Sequence, residues 1–309
     1  MQLSFIIPLY NCLSLTQATL TSLVASVPSE ISHEIILVDD GSTDGTRAWL
    51  TALRAPFRVI LNDQNLGYAG ANNRGAASAQ GDLIMLLNND LIFERGWLEP
   101  MLAAYRNLGP RAGVVGNVQR SFDTGAVDHA GILINLKAKP EHDQSLAPRW
   151  IRTLRPSRVV PAVTGACALV KRTVWNQLGG FDEGFVNGGE DVDFCLRARA
   201  AGRTNAVALR SVIRHHVSSS PGRKLRDEEN SRRLALRWRG ELEYLALHRW
   251  CWDFLVREWT TPRTGEGHAD ACGALLYAMR LRRHPPGIAL LGMRAAMERE
   301  FLRWAAILK

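Results

Sequence analysis

Four clusters of carboxylates, amides and histidines stand at places in this chain where side chains could do chemistry. Asn88-Asn89-Asp90 ends the apolar run Asp82–Leu87, and a carboxylate placed there can bind a hard cation such as Mg²⁺ or Mn²⁺. Glu190-Asp191-Val192-Asp193 opens a segment whose Phe194, Cys195 and Leu196 would dock it on a core. Acidic residues at a helix start serve the helix dipole, but Asp191 in the first turn can also act as an ionised base in a cleft. His215 and His216 follow the strand-like Val212-Ile213-Arg214, and a neutral imidazole there could complete a metal shell. Asp39-Asp40-Gly41-Ser42, with Pro8-Leu9-Tyr10-Asn11, offers an acceptor for a base N–H and a ring for stacking. The same four residues Asp-Asp-Gly-Ser are also ordinary turn chemistry.

The elements that would carry these clusters follow from periodicity. Leu3–Leu9, Glu34–Val38, Arg58–Leu61 and Asp82–Leu87 read as buried strands. Between them, Ser14–Val27, a stretch ending near Leu53 and capped by Ser42 or Thr43, and Tyr68–Ala79 read as helices. Alternating strands and helices predict an α/β fold, a mostly parallel sheet with helices on both faces. Ligands bind such sheets beyond the carboxyl ends of the strands, where Tyr10-Asn11, Asp39-Asp40 and Asn88-Asn89-Asp90 all fall. The glycine-rich run Asn65 to Gly75 lets backbone approach a ligand, yet it lacks the lysine of a P-loop. Residues 121–160 show little periodicity and read as a long excursion or lid. Val159–Val170 reads as strand, turn and strand around Thr164-Gly165, and a helix runs from Glu190 to Ala200.

The 309 residues carry a formal net charge of +8. Residues 1–209 hold 19 basic and 19 acidic side chains, whereas residues 210–309 hold 19 and 11. The excess therefore lies wholly in the last hundred residues, which look mainly helical from about Arg223, with a final helix over Ile288–Leu308 after Pro285-Pro286. Arg280, Arg282, Arg283, Arg294, Arg299 and Arg303 among aliphatic residues and Trp304 suit peripheral contact with a membrane surface, and suit a homodimer interface nearly as well. The five cysteines lack metal-type spacing and read as reduced thiols of a cytoplasmic protein. Leu3–Leu9 has no basic region ahead of it, which argues against a cleaved signal peptide. No apolar run approaches the roughly 18 residues of a membrane span. Charge alone would allow nucleic-acid binding, but no motif supports it.

In order along the chain, these motifs resemble the family-2 glycosyltransferases of the GT-A fold, from about Leu3 to His216. The stretches that carry the resemblance are Ser4–Asn11, Val38–Thr46, Asn65-Leu66-Gly67 through Asn73-Arg74-Gly75, and Asn88-Asn89-Asp90. They continue with Thr164–Cys167, Gly179-Gly180-Phe181-Asp182-Glu183 and Glu190–Asp193. The resemblance implies an inverting transfer of a sugar from a nucleotide-diphosphate donor, a UDP- or dTDP-sugar, helped by Mg²⁺ or Mn²⁺. The acceptor would be a glycan or a lipid- or protein-linked group in bacterial polysaccharide, O-antigen or glycoconjugate synthesis, reached from the cytoplasm or the inner face of the membrane. It implies Asp191 as the base, Asp90 and His215 as metal ligands, and His216 as the alternative to His215. Pro8, Tyr10, Asn11, Asp40, Asn65, Gly67, Asn73, Asn88 and Asn89 would line the nucleotide-sugar site, and Thr164, Gly165 and Glu190, with His216, the acceptor or donor sugar. Asn88 stands where the family's pattern has a first aspartate, so this Asp-x-Asp position offers one carboxylate. The implied division is a catalytic domain over 1–220, with a nucleotide-binding half to about 120 and an acceptor half to 220, followed by a basic helical extension over 221–309. Two other classes use related folds: a sugar nucleotidyltransferase, which would want a basic glycine-rich loop where Pro8–Ser14 has no Lys or Arg, and a non-catalytic sugar-nucleotide-binding protein.

Overall fold

A computed structural model describes residues 2–216, 226–260 and 268–308. Its sheet begins with β1 (Leu3–Leu9), followed by α1 (Leu13–Ser26), β2 (His33–Asp39), α2 (Thr46–Ala52), β3 (Phe57–Leu61), α3 (Gly67–Ser78) and β4 (Leu83–Leu87). Next come β5 (Leu91–Ile92), α4 (Leu98–Leu108), β6 (Ala112–Ser121), β7 (Val127–His129), β8 (Ile132–Ile134), β9 (Pro140–His142), α5 (Arg149–Leu154) and β10 (Ser157–Val159). The series continues with β11 (Cys167–Lys171), α6 (Arg172–Leu178), α7 (Glu190–Ala200), β12 (Thr204–His215), α8 (Asp227–Thr260), α9 (His268–Ala278) and α10 (Gly287–Ile307).

The strand order is β10-β12-β6-β11-β4-β1-β2-β3, with β5 beside β12 and β7 beside β6. β3, β2, β1 and β4 are mutually parallel, and β6 pairs in parallel with β12. β11 runs antiparallel between β4 and β6. This mixed topology brings the carboxyl ends of β1, β2, β4, β6 and β12 to one edge and adds the start of β11 to it, since Cys167 pairs with Leu87. β1 and β4 are buried along their whole length, and so is most of β2, because both faces are covered there. Phe5, Ile7, Leu9, Ile35, Leu37, Met85 and Leu87 pack with Trp97, Leu98 and Met101 in one core.

The expected cap at Ser42 or Thr43 lies too early. α2 starts at Thr46 after a left-handed Gly45, and Asp44 Oδ1 accepts both the Thr46 amide and its hydroxyl. The expected irregular excursion over 121–160 contains β7, the β8–β9 pair, α5 and β10 instead. Strands of three residues are too short to show a period, which is why the sequence pattern missed them.

The chain divides into two units. The first comprises residues 1–132 and 142–226, and the second joins residues 133–141 to 227–309. In the second, α8 bends where Trp238 leaves helical dihedrals (φ −115°, ψ 24°). Leu242, Leu247, Cys251, Met293, Met297 and Trp304 are buried there. Polar contacts add specificity: Trp304 Nε1 donates to Glu228 at 2.6 Å, Lys139 Nζ reaches Glu300 at 2.8 Å, and Trp250 Nε1 donates to the Leu136 carbonyl at 3.0 Å. No described helix is long and apolar enough to cross a membrane.

Candidate active site

Asp90 sits just past β4 and His215 at the end of β12, and β5 draws them together because His215 pairs with Leu91. The Asp90 carbonyl accepts the His216 amide at 3.0 Å. Both side chains are buried, and His215 Nε2 lies 3.2 Å from Asp90 Oδ1. Among the described residues neither ring nitrogen of His215 makes a hydrogen bond. Asn88 Oδ1, two residues before Asp90, is likewise a buried acceptor with no hydrogen-bond partner. Buried polar atoms are nearly always satisfied, so such a cluster needs an explanation. A divalent cation fits: a carboxylate and an imidazole supply two ligands suited to Mg²⁺ or Mn²⁺. No group of three or more His, Cys, Asp or Glu side chains with metal-holding geometry occurs among the described residues. Oxygen atoms of a substrate would therefore have to complete the shell.

Asp191 stands in the first turn of α7, which Gly189 (φ 93°) introduces. Its Oδ2 accepts the Gly165 amide at 2.8 Å and its Oδ1 accepts the Val192 amide at 2.7 Å. The carboxylate is half-buried, aimed by backbone donors with lone pairs to spare. Gly165 must be small: a Cβ there would come within 2.9 Å of Tyr68 Oη and 3.5 Å of Asp191 Cβ. The Asn88 amide donates to the Ala166 carbonyl at 2.9 Å, which ties the Thr164-Gly165-Ala166 loop to the cluster around Asp90. Thr164 is buried, and its hydroxyl accepts the Ala166 amide at 3.3 Å. Glu190 is also buried and accepts the Gly188 amide at 2.7 Å.

The other half of the edge is a network of backbone turns. Asn11 and Cys12 are left-handed (φ 58° and 62°). The Asn11 amide donates to Ser42 Oγ at 2.8 Å, and Asn11 Oδ1 accepts the Thr43 amide at 2.7 Å. Asn89 Nδ2 donates to Thr16 Oγ1 at 3.0 Å and reaches the Asn11 carbonyl at 3.5 Å, so Asn11 and Asn89 meet. Tyr10 is half-exposed beside them. Pro8 is buried within β1, opposite Val38, and lies inside the sheet.

Asp40 is buried, and its carboxylate is occupied by the protein. It accepts Asn62 Nδ2 at 2.7 Å and the amides of Leu66 and Gly67, each at 2.9 Å. Gly67 has a positive φ (76°), and its amide also reaches Asn65 Oδ1 at 2.9 Å. Asp40 thus holds the Asn65-Leu66-Gly67 loop in place. Asn73 is engaged in the same way: its Nδ2 donates to the Phe181 carbonyl at 2.9 Å and to Glu183 at 2.8 Å, and its Oδ1 accepts the Phe181 amide at 2.8 Å. Arg197 locks the adjoining turn through Asp193 at 2.8 Å and the carbonyls of Leu178 and Gly180.

Sequence reasoning passed over the β7 dipeptide Asp128-His129. His129 is fully buried, and burial, followed by the neighbouring His142, His215 and Arg158, pushes its pKa well below the usual value, so the ring is neutral. Its Nε2 faces the Thr164 amide at 3.5 Å. Asp128 Oδ2 lies 4.0 Å from His215 Nδ1. The only cue in the sequence was a charged dipeptide just ahead of the apolar Ala130–Ile134. The ring of His216 stacks on Phe122, with centroids 3.9 Å apart, and leaves His215 as the histidine facing Asp90.

A mixed, mostly parallel sheet covered by helices is the GT-A fold, and here its edge gathers the Asp90–His215 pair, the Asp191 carboxylate and glycine turns. Residues 4–179 match Glycosyl transferase family 2, and the chain belongs to that family. It is 31% identical over 233 residues to the O-antigen biosynthesis protein RfbC of Myxococcus xanthus, covering 71% of this chain and 18% of that protein. It is 30% identical over 220 residues to the N-acetylglucosaminyl-diphospho-decaprenol L-rhamnosyltransferase of Mycobacterium tuberculosis, covering 64% of this chain and 71% of that one. The chain spans 27% of the length of a further relative from Sinorhizobium fredii. Among solved structures, GalNAc-T7 with UDP, GalNAc and Mn²⁺ superposes with a TM-score of 0.63 at 18% identity, covering 81% of this chain and 50% of that one. That likeness shows the shared fold.

Proposed function

We propose that this chain transfers a sugar from a nucleotide-diphosphate donor to an acceptor hydroxyl with inversion at the anomeric carbon. The observation that carries the reading is the buried Asp90–His215 pair, 3.2 Å apart with both ring nitrogens unsatisfied, on the same edge as the aimed carboxylate of Asp191. Asp191 takes the acceptor's hydroxyl proton as the oxygen attacks the anomeric carbon. The bond from that carbon to the diphosphate oxygen breaks on the opposite side, and the nucleoside diphosphate departs. Asp90 and His215 would hold Mg²⁺ or Mn²⁺, and the cation would supply positive charge for the leaving diphosphate. The loop fixed by Asp40 and the turn at Tyr10-Asn11 receive the nucleotide, Tyr10 offering an exposed ring for the base. Thr164 and Gly165 face the sugars from the loop that holds Asp191. The names of the bacterial relatives point to an envelope polysaccharide or a lipid-linked glycan as acceptor.

A screen of UDP-, dTDP- and GDP-sugars for Mn²⁺-dependent hydrolysis and transfer tests the reading. Asp191→Asn should bind the donor as the parent does and transfer about 10²–10⁴-fold more slowly, the span of general-base catalysis. Parent-like transfer by that variant would remove Asp191 as the base, and full activity after exhaustive chelation would remove the metal.

A membrane surface is the second element of the reading. The end of α9 and the turn after it expose Leu276, Met279 and Leu281 beside Arg280, Arg282 and Arg283. Such a mixture suits the headgroup region of an anionic bilayer, where a lipid-linked acceptor resides. Salt-sensitive sedimentation with anionic but not zwitterionic vesicles is the expected outcome. Concentration-dependent dimerisation without vesicle binding would assign the same surface to a second copy.

A further inference from the structure

A histidine that binds a cation through one ring nitrogen needs the other held, since the partner at that second nitrogen fixes tautomer and ring orientation. His215 presents Nε2 to Asp90 at 3.2 Å. Its Nδ1 is buried and makes no hydrogen bond, and Asp128 Oδ2 lies 4.0 Å from it. Asp128 reaches that position through an irregularity in the sheet. Along β6, Gln119 pairs with His129 and Arg120 with Val127, so two steps on β7 oppose one step on β6. Asp128 is the extra residue of a β-bulge, a device that re-aims a side chain. On the far side of β6, His215 pairs with Ser121, one residue past Arg120. The bulge therefore turns a carboxylate toward the imidazole from across the strand that separates them.

Resting on the reading of His215 as a metal ligand, we propose that Asp128 is a positioning residue for it. The carboxylate accepts from His215 Nδ1–H, directly after a shift of about 1 Å to reach hydrogen-bond distance or through one water. That interaction favours the tautomer whose Nε2 lone pair is available to a cation shared with Asp90. It supplies orientation to a site whose Asp-x-Asp position has only one carboxylate. Nothing in this role requires Asp128 to touch substrate, and its side chain is partly exposed, so its loss should spare the fold.

Two measurements on the full chain test this. In the metal-free protein, where Asp90 beside Nε2 favours the Nε2–H tautomer, long-range ¹H–¹⁵N spectra of histidine rings should show a measurable share of His215 as the Nδ1–H tautomer. Asp128→Ala should lower that share, and Asp128→Asn, which keeps an acceptor oxygen, should restore it. Mn²⁺ binding, followed by loss of the free-ion electron spin resonance signal, should weaken about 10–100-fold in Asp128→Ala, the range for removing such a supporting partner, and less in Asp128→Asn. His215→Ala supplies the reference. If it loses Mn²⁺ while Asp128→Ala binds within twofold of the parent and keeps its share of the Nδ1–H tautomer, the positioning role is overturned and the metal reading stands. If His215→Ala binds Mn²⁺ as the parent does, the metal reading itself falls and takes this inference with it.

Discussion

Replacing Asp40 perturbs the site without touching the reacting groups, and the size of the effect follows from its hydrogen bonds. In Asp40→Asn, Oδ1 can keep Asn62 Nδ2 and the Leu66 amide, but an amide nitrogen then meets the Gly67 N–H. That N–H retains Asn65 Oδ1 as a second acceptor. One buried, charge-assisted bond is lost, at about 1.5–3 kcal/mol. Asp40→Ala loses all three and leaves the Leu66 amide and the Asn62 amide group without that acceptor, which should cost about 4 kcal/mol. At roughly 2–4 °C per kcal/mol for a domain of this size, Tm should fall by about 3–12 °C for Asn and about 8–16 °C for Ala. Calorimetry and chemical denaturation measure the order parent, Asn, Ala. Adding Asn65→Ala to Asp40→Asn should cost more than the sum of the single changes, because the Gly67 N–H then has neither acceptor. If Asp40→Ala lies within 1 kcal/mol of the parent, the reasoning fails and Asp40 does not hold the loop. Donor affinity, measured on the same proteins, should fall in the same order.

Three further outcomes follow from named contacts. Arg197→Ala removes one ion-pair partner of the fully buried Asp193 and two carbonyl bonds, and should cost about 3 kcal/mol by urea denaturation. Gly165→Ala pushes a methyl group against Tyr68 and shifts the amide that aims Asp191, so kcat should fall up to about 10²-fold for a displacement near 1 Å, with donor affinity little changed. In the second unit, the hydrogen bond from Arg303, with Trp304 and Lys139, holds Glu228 down to about 2 from an ordinary 4.5. A lowered carboxylate pKa gives stability that is complete above the unfolded value and is lost as pH falls. Helical signal at 222 nm should therefore become less heat-resistant between about pH 4.5 and 2, and Glu228→Gln should flatten that dependence.

Three strands near the N-terminus were legible as apolar runs ended by polar clusters, and their ends carry the groups expected there. Leu3–Leu9 is β1 as predicted, and the polar residues after β2 and β4 lie at the edge formed by the carboxyl ends of the parallel strands. β6 was not legible: Gly113, Gly116, Asn117 and Gln119 interrupt its pattern, although the last two are buried. Gly116 is needed because Val163 would lie 2.7 Å from a Cβ there, which no local pattern reports. The types Asp90 and His215 stood out in the sequence, yet their apposition depends on β5 pairing with β12, a contact between distant segments. Asp40 stood out in the sequence as a carboxylate at a strand end, with its surroundings invisible. Only the fold shows three donors already converging on it. Asp128 could not stand out because a bulge, and not an alternating pattern, sets its direction.

The division expected at residue 220 is, in three dimensions, a boundary that the chain crosses three times, at residues 132, 142 and 226. Anyone shortening the chain meets this at once. Ending the chain at Arg226 does not remove the second unit; it leaves residues 133–141 behind, with Leu136 and Lys139 deprived of Trp250 and Glu300. A clean excision would also have to bridge Ile132 to His142 with a short turn. During synthesis, that early stretch must wait for the last helices to emerge before its own packing is complete. The C-terminal helices thus belong to a unit whose first residues, 133–141, are made in the middle of the reading frame.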